Sequence, residues 1–342
     1  MYELPDIVKQ ELDFFKTKDF IKINIFDEHE TNIEYIRSEV KNRDRLIVVS
    51  QAESFGNMKL YDSILKIIDE NPGKDIRISS ATASKFPFST HPLTNLIMWK
   101  DVVGRNDVMW VCENAPTFPN FTKDNIVTCE NKNIKSIISV RKQNDLRKYL
   151  FDNIHPTDID GICRYYHWHP DIEDDDIKTW KTEKIRTISE LHGDYSSSFI
   201  SFVVETELGD SSRNFTSTFT EKTLFSIVNG TMPIILGSKN LINDLKNIGI
   251  KTFNEEFGFG NVSDFYDSHS TKRIDKFIEC IHNVKNTNIT DVEKMWIDNR
   301  DSIQKNYDIV ASILFNDEYS NYFYSEKEIS DKLSNTFLNN FV

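Results

Sequence analysis

In this 342-residue chain, the residues best placed to do chemistry are Glu221 and Lys222. They belong to a Thr-Glu-Lys step within FTEKTLFSIVNGTMPIILG, residues 219–237. The run follows the strand-like FVVET at 202–206, so Glu221 and Lys222 fall in the first turn of a helix entered from the carboxyl end of a strand. Helix N-termini offer unpaired N–H groups and a partial positive charge, and open α/β sheets hold ligands outside the carboxyl ends of their strands. Lys222 would supply a point charge to a diphosphate there, and the acceptor-only carboxylate of Glu221 suits a ribose diol. Thr220 is placed to cap the helix. The same spacing also describes an ordinary capped helix with a surface Glu-Lys pair.

The segment resembles the donor-binding motif of the inverting α1,3-fucosyltransferase family. In that family a strand ending in Phe-Glu-Asn leads to a Thr-Glu-Lys helix and then to an apolar strand bearing Pro and Gly. Here the pieces read VVET, TEK and TMPIILGS. The family's strand Glu falls on Glu205, its Asn on Thr206, its Glu-Lys pair on Glu221 and Lys222, and its Pro and Gly on Pro233 and Gly237. Thr206 departs from the pattern, and the stretch 207–219 is longer than usual. The family also keeps an Arg at the start of a helix that follows a strand, where it reaches the diphosphate of a guanine-nucleotide donor. Arg147 in NDLRKYLFDNI is similar to that position, with Arg141 as a second candidate. A guanidinium fork suits phosphate oxygens and the charge that grows on a leaving diphosphate. A solvent-facing Arg on an amphipathic helix fits the same pattern.

The resemblance covers about residues 134–260. It implies a donor site formed by Arg141, Arg147, Tyr195, Glu205, Thr206, Thr220, Glu221 and Lys222, a GDP-sugar donor (GDP-fucose first) and no essential metal or other cofactor. An inverting transfer also needs a base for the acceptor hydroxyl, facing the donor across a cleft. Glu113, in VMWVCENAPTFPNF, looks like the family's Glu-Asn stretch, and Glu53, in LIVVSQAESFG, follows an earlier strand; both are candidates.

These residues require a scaffold of strands and crossover helices. Apolar runs at 21–26, 46–50, 76–79 and 108–112 alternate with polar, helix-compatible stretches, as in a parallel sheet. KLYDSILKIIDENPGK carries a helical stripe of Leu60, Ile64, Leu65, Ile67 and Ile68 that stops at Asn71-Pro72-Gly73. A further run at 134–140 leads into an amphipathic helix, and from Ser198 the order is strand, helix, strand. The expected architecture is α/β of the GT-B type, with two Rossmann-like domains facing across a cleft. Residues 1–133 form the acceptor-binding domain and 134–342 the donor-binding domain with C-terminal helices.

Composition narrows the function classes. With 41 Lys and Arg against 54 Asp and Glu, a net charge of −13 repels polyanions, so nucleic acid is an unlikely partner and a glycan a better acceptor. Transfer to a modified nucleic-acid base, or a catalytically silent glycan- or nucleotide-binding module, are the alternatives. The four cysteines are scattered without a CxxC pair, which fits the reducing cytoplasm. No leader-like N-terminus or membrane span is read from the sequence. GxGxxG, GxxxxGK[ST] and HExxH are missing from the sequence. His167-Trp168-His169-Pro170-Asp171 could ligate a metal, although a packed strand end explains it better.

Overall fold

The computed structural model describes residues 20–23, 29–50, 58–79, 125–140, 145–165, 188–205, 221–237, 241–259 and 271–314, together with Asp6 and Lys9. The expected strand at 108–112, the His167–Asp171 stretch and the chain beyond 314 lie outside them.

The fold is mixed α/β with two parallel sheets. In the first, β1 (Phe20–Ile23), β2 (Arg45–Ser50) and β3 (Asp75–Ser79) lie in chain order, linked by α1 (His29–Asn42) and α2 (Met58–Glu70). Register is fixed by pairs such as Ile21 with Val48 and Val48 with Ile78, so the β-branched runs stack across the sheet. Leu60, Ile64 and Ile67 of α2 are buried, each worth about 1.5–3 kcal/mol. The helix stops where Asn71 turns back, its side-chain N–H₂ donating to the Ile67 carbonyl at 2.8 Å.

The second sheet contains β4 (Ile134–Val140), β5 (Gly161–Tyr165), β6 (Ser198–Val204) and β7 (Met232–Leu236), in the order β5-β4-β6-β7. The connections are α3 (Asp145–Asp152), α4 (Ile188–Ser196) and α5 (Glu221–Val228); α6 (Leu241–Asn247), α7 (Thr271–Asn286), α8 (Ile289–Asp298) and α9 (Arg300–Leu314) follow. β6 is buried along its whole length, as expected of a central parallel strand covered on both faces. Its alternate residues show which helix covers which face. Ser201 bonds Ser226 of α5, while Phe202 packs edge-on against Phe277 of α7 at 5.8 Å.

Local sequence explains how α5 ends. Gly230, at φ +60°, donates its N–H to Ile227 and Thr231 donates to Ser226, a Schellman closure. A β-carbon at Gly230 would lie 2.0 Å from a Val127 methyl. Beside this turn the Lys132 ammonium donates to the carbonyls of Ser196, Ser198 and Asn229 at 3.2, 2.8 and 3.0 Å, tying together the turns that flank β6 at its amino end. Trp296 closes the same corner by donating to the Gly230 carbonyl at 2.8 Å.

The outer edge of β7 is occupied by the segment after α6. Phe253 donates its N–H to the Pro233 carbonyl at 2.8 Å, and the Asn254 side chain both accepts from Ile235 N–H and donates to Ile235 C=O, at 3.0 and 2.9 Å. Pro233 therefore turns its missing N–H to the side where no ladder bond to β6 is lost.

Two hydrophobic clusters accompany the two sheets, and Ile47 of β2 groups with the second. Among the described residues no helix is long and apolar enough to cross a membrane.

Candidate functional site

In the second sheet the chain passes from β4 to β5 on one side and then crosses back to place β6 on the other. The carboxyl ends of β4 and β6 thus flank a reversal in strand order, the position at which open α/β sheets form a crevice. α3 and α5 both start at this edge, one after each strand.

Arg147 is the third residue of α3 and is 1% exposed. Its guanidinium crosses to the neighbouring strand, where Nη2 donates to the carbonyl of Val204, the last residue of β6, at 2.8 Å. The next residue is Glu205, fully buried, whose backbone N–H bonds the end of β7 at Leu236. The Glu205 carboxylate accepts from the Thr223 hydroxyl at 2.5 Å, and Thr223 follows Lys222 in the first turn of α5. Lys222 is 8% exposed. A continuous chain of contacts, Arg147 to Val204 to Glu205 to Thr223, therefore ties the first turns of α3 and α5 to the end of β6.

Gly237 completes the edge. A β-carbon there would come within 2.4 Å of the buried Leu241 side chain, so the strand end can lie this close to Leu241 only with glycine, and at 3.6 Å it would be in ordinary contact with Glu205. Buried charges of this kind are costly unless paired or given a ligand, which concentrates function at such places.

The sequence-derived residues divide into three groups. Arg147 and Glu205 meet at the end of β6, and Glu221 and Lys222 lie in the first turn of α5, next to the Thr223 that bonds Glu205. Arg141, Thr206, Thr220, Glu113 and Glu53 lie outside the described residues. Tyr195 belongs elsewhere: it is 2% exposed, near the end of α4 that feeds the amino end of β6, and its ring stacks on Phe225 at 5.7 Å. Its described contact is thus core packing on α5. An aromatic one turn before an apolar strand carries no sign of which end of the strand it meets.

Thr223 was not anticipated. Its signal was present, since a Thr one residue after the Glu-Lys pair sits in the same first turn and can reach back to the preceding strand end.

A depression of about 590 Å³ lies at the opposite edge of the sheet, lined by Lys135, Asp160, Lys285 and Asn288 among others. Its charges are matched in pairs, Lys135 with Asp160 and Lys285 with Asp158. It is a solvent-facing notch, remote from the strand-order reversal, and the physical case for a ligand rests with the carboxyl edge. Among known proteins no family model matches the chain, and no curated protein or solved structure matches it.

Proposed function

We propose that the protein is an inverting glycosyltransferase of the GT-B type. It moves a sugar from a nucleotide diphosphate, GDP-fucose on the resemblance to the α1,3-fucosyltransferases, to a glycan hydroxyl. The observation that carries the reading is that Arg147, Glu205 and the first turn of α5, which holds Lys222, are linked where the strand order reverses.

In the reaction the acceptor oxygen bonds to the anomeric carbon as the carbon's bond to the diphosphate oxygen breaks, with inversion at that carbon. The electron pair leaves with the diphosphate, and the acceptor proton passes to a carboxylate, for which Glu113 and Glu53 are the sequence candidates. Arg147 and Lys222 stabilise the charge that grows on the leaving group. Fixed cations serve here in the role a divalent ion fills in other transferases, so activity is expected to persist in EDTA. The acidic net charge favours a glycan over a polyanionic acceptor, and the scattered cysteines suit the cytoplasm.

The test is a thermal-shift panel of GDP-, UDP- and ADP-sugars in EDTA, followed by product analysis with the nucleotide that binds. A rise in Tm with GDP-sugars and metal-independent transfer are expected. A strict metal requirement, or no response to any nucleotide sugar, would overturn the reading.

A further inference from the structure

Three buried hydroxyls close a ring between β6, α5 and the residue before β7. Ser226 of α5 bonds Ser201, the middle residue of β6, and lies 2.7 Å from the hydroxyl of Thr231, which donates to Ser201 at 2.8 Å. Ser201 and Ser226 are fully buried and Thr231 is 1% exposed. Three hydroxyls carry three protons, so each can donate once and accept once, and the ring is satisfied without water.

Such a ring contributes little net stability, because its bonds replace bonds to water and apolar groups of the same shape would serve nearly as well. What it supplies is direction. Leu224, Phe225, Ile227 and Val228 of α5 are buried and apolar, and apolar packing loses uniqueness of arrangement before it loses stability. Ser226 can meet both Ser201 and Thr231 in only one seat of the helix on the strand.

That seat governs the carboxyl edge. Ser226 stands one turn after Thr223 on the same stripe of α5, and Thr223 donates to Glu205, four residues after Ser201. Hydroxyls therefore pin α5 to β6 and its extension at two points. A shift at the ring would carry the second point with it, together with Lys222, the residue before Thr223.

We propose that Ser201, Ser226 and Thr231 are positioning residues: their ring sets the seat of α5 on β6, which holds Thr223 against Glu205 and presents the first turn of α5 to the donor's diphosphate. The last part rests on the donor-site reading above.

The experiment uses the full chain and two readouts. Thr231→Val removes the hydroxyl and keeps the shape, while Thr231→Ser keeps the hydroxyl. Thr231 lies about 12 Å along the helix axis from Thr223, far enough for independent substitutions to add. In urea denaturation, Thr223→Val should lower the midpoint less than about half as far in the Thr231→Val background as in the wild type. Additive losses overturn the proposal. In calorimetry with GDP, Thr231→Val should weaken binding about tenfold and Thr231→Ser should stay within about twofold of the wild type. A ring with only a packing role would lower the urea midpoint and leave the GDP affinity of the folded protein untouched, which also overturns the proposal. If Thr231→Val does not fold, Ser201→Ala replaces it in both assays. A wild type that binds no GDP ends the donor-site reading, and the urea comparison then decides the ring's hold on Thr223 by itself.

Discussion

Replacing Lys132 by Met keeps the length and apolar stem of the side chain but removes the ammonium that donates to three carbonyls at 2.8–3.2 Å. Lys132 is 8% exposed, so the Ser198 and Asn229 carbonyls would lose their partner where water does not readily replace it. Each bond from a charged donor contributes about 1.5–3 kcal/mol, offset by several kcal/mol for desolvating the ammonium, and uncovering its acceptors adds a penalty. A net loss of about 3–5 kcal/mol is expected, a large share of the roughly 5–15 kcal/mol that holds a domain together.

The pH dependence provides a second, independent readout. Burial pushes the Lys132 ammonium down from 10.5 to about 7, with Cys129 opposing the shift. Below pH 7 both folded and unfolded chains hold the proton. Between 7 and 10.5 only the unfolded chain does, so wild-type stability should rise with pH across that window. Urea denaturation of both proteins at pH 6, 8 and 9.5 tests this, because other titrations largely cancel in the difference. A loss below about 1 kcal/mol at every pH, or a wild type that gains nothing on the variant as pH rises, would refute the reasoning.

Other substitutions probe the carboxyl edge and the core. Lys222→Gln should weaken GDP binding about tenfold by calorimetry, since it removes a charge and keeps most of the side chain. Thr223→Val strips the hydroxyl that Glu205 accepts and should cost about 1–3 kcal/mol in urea unfolding, while Thr223→Ser restores most of it. Gly230→Ala forces a β-carbon onto Val127 at a left-handed φ and should cost about 2–4 kcal/mol, seen as a lower Tm. Burial pushes the Cys280 thiol up to about 12, so peptide mapping after alkylation of the native protein at pH 8 should find Cys280 unmodified. Among the described cysteines the half-buried Cys129 and Cys163 should react before Cys280.

Much of the local structure was legible from spacing. β4 matches the apolar run 134–140, β6 starts at Ser198 as expected, and α2 stops at the Asn-Pro-Gly signal. β1 spans Phe20–Ile23, and the rest of the expected run, 24–26, lies outside the described residues. β5, reading GICRY, was missed because five residues with an Arg inside offer little period to detect. It pairs with β4 through Gly161, where a β-carbon would meet the Ser136 carbonyl at 1.9 Å, so the glycine marks a close backbone approach.

At the carboxyl edge, the positions of Arg147 and Lys222 in first helical turns and of Glu205 at a strand end were legible because sequence order preserves the succession of strand and helix. Strand order does not survive in local pattern. Nothing within 145–152 says that Arg147 will reach β6 rather than β5. The packing of Tyr195 on Phe225 was not legible for the same reason: it depends on which helices cover the same face of the sheet.

The pairing of Asn254 with Ile235 also bears on solubility. A side-chain amide occupies the outward N–H and C=O that an exposed border strand would offer to another chain, and the adjoining Phe253 amide takes the next carbonyl. The sheet is thus closed to intermolecular extension along β7 by a residue that imitates a strand without being one. Hydrolysis of that amide to a carboxylate would leave the Ile235 carbonyl facing a negative oxygen, so slow deamidation at one buried position would unfasten the border and invite aggregation there.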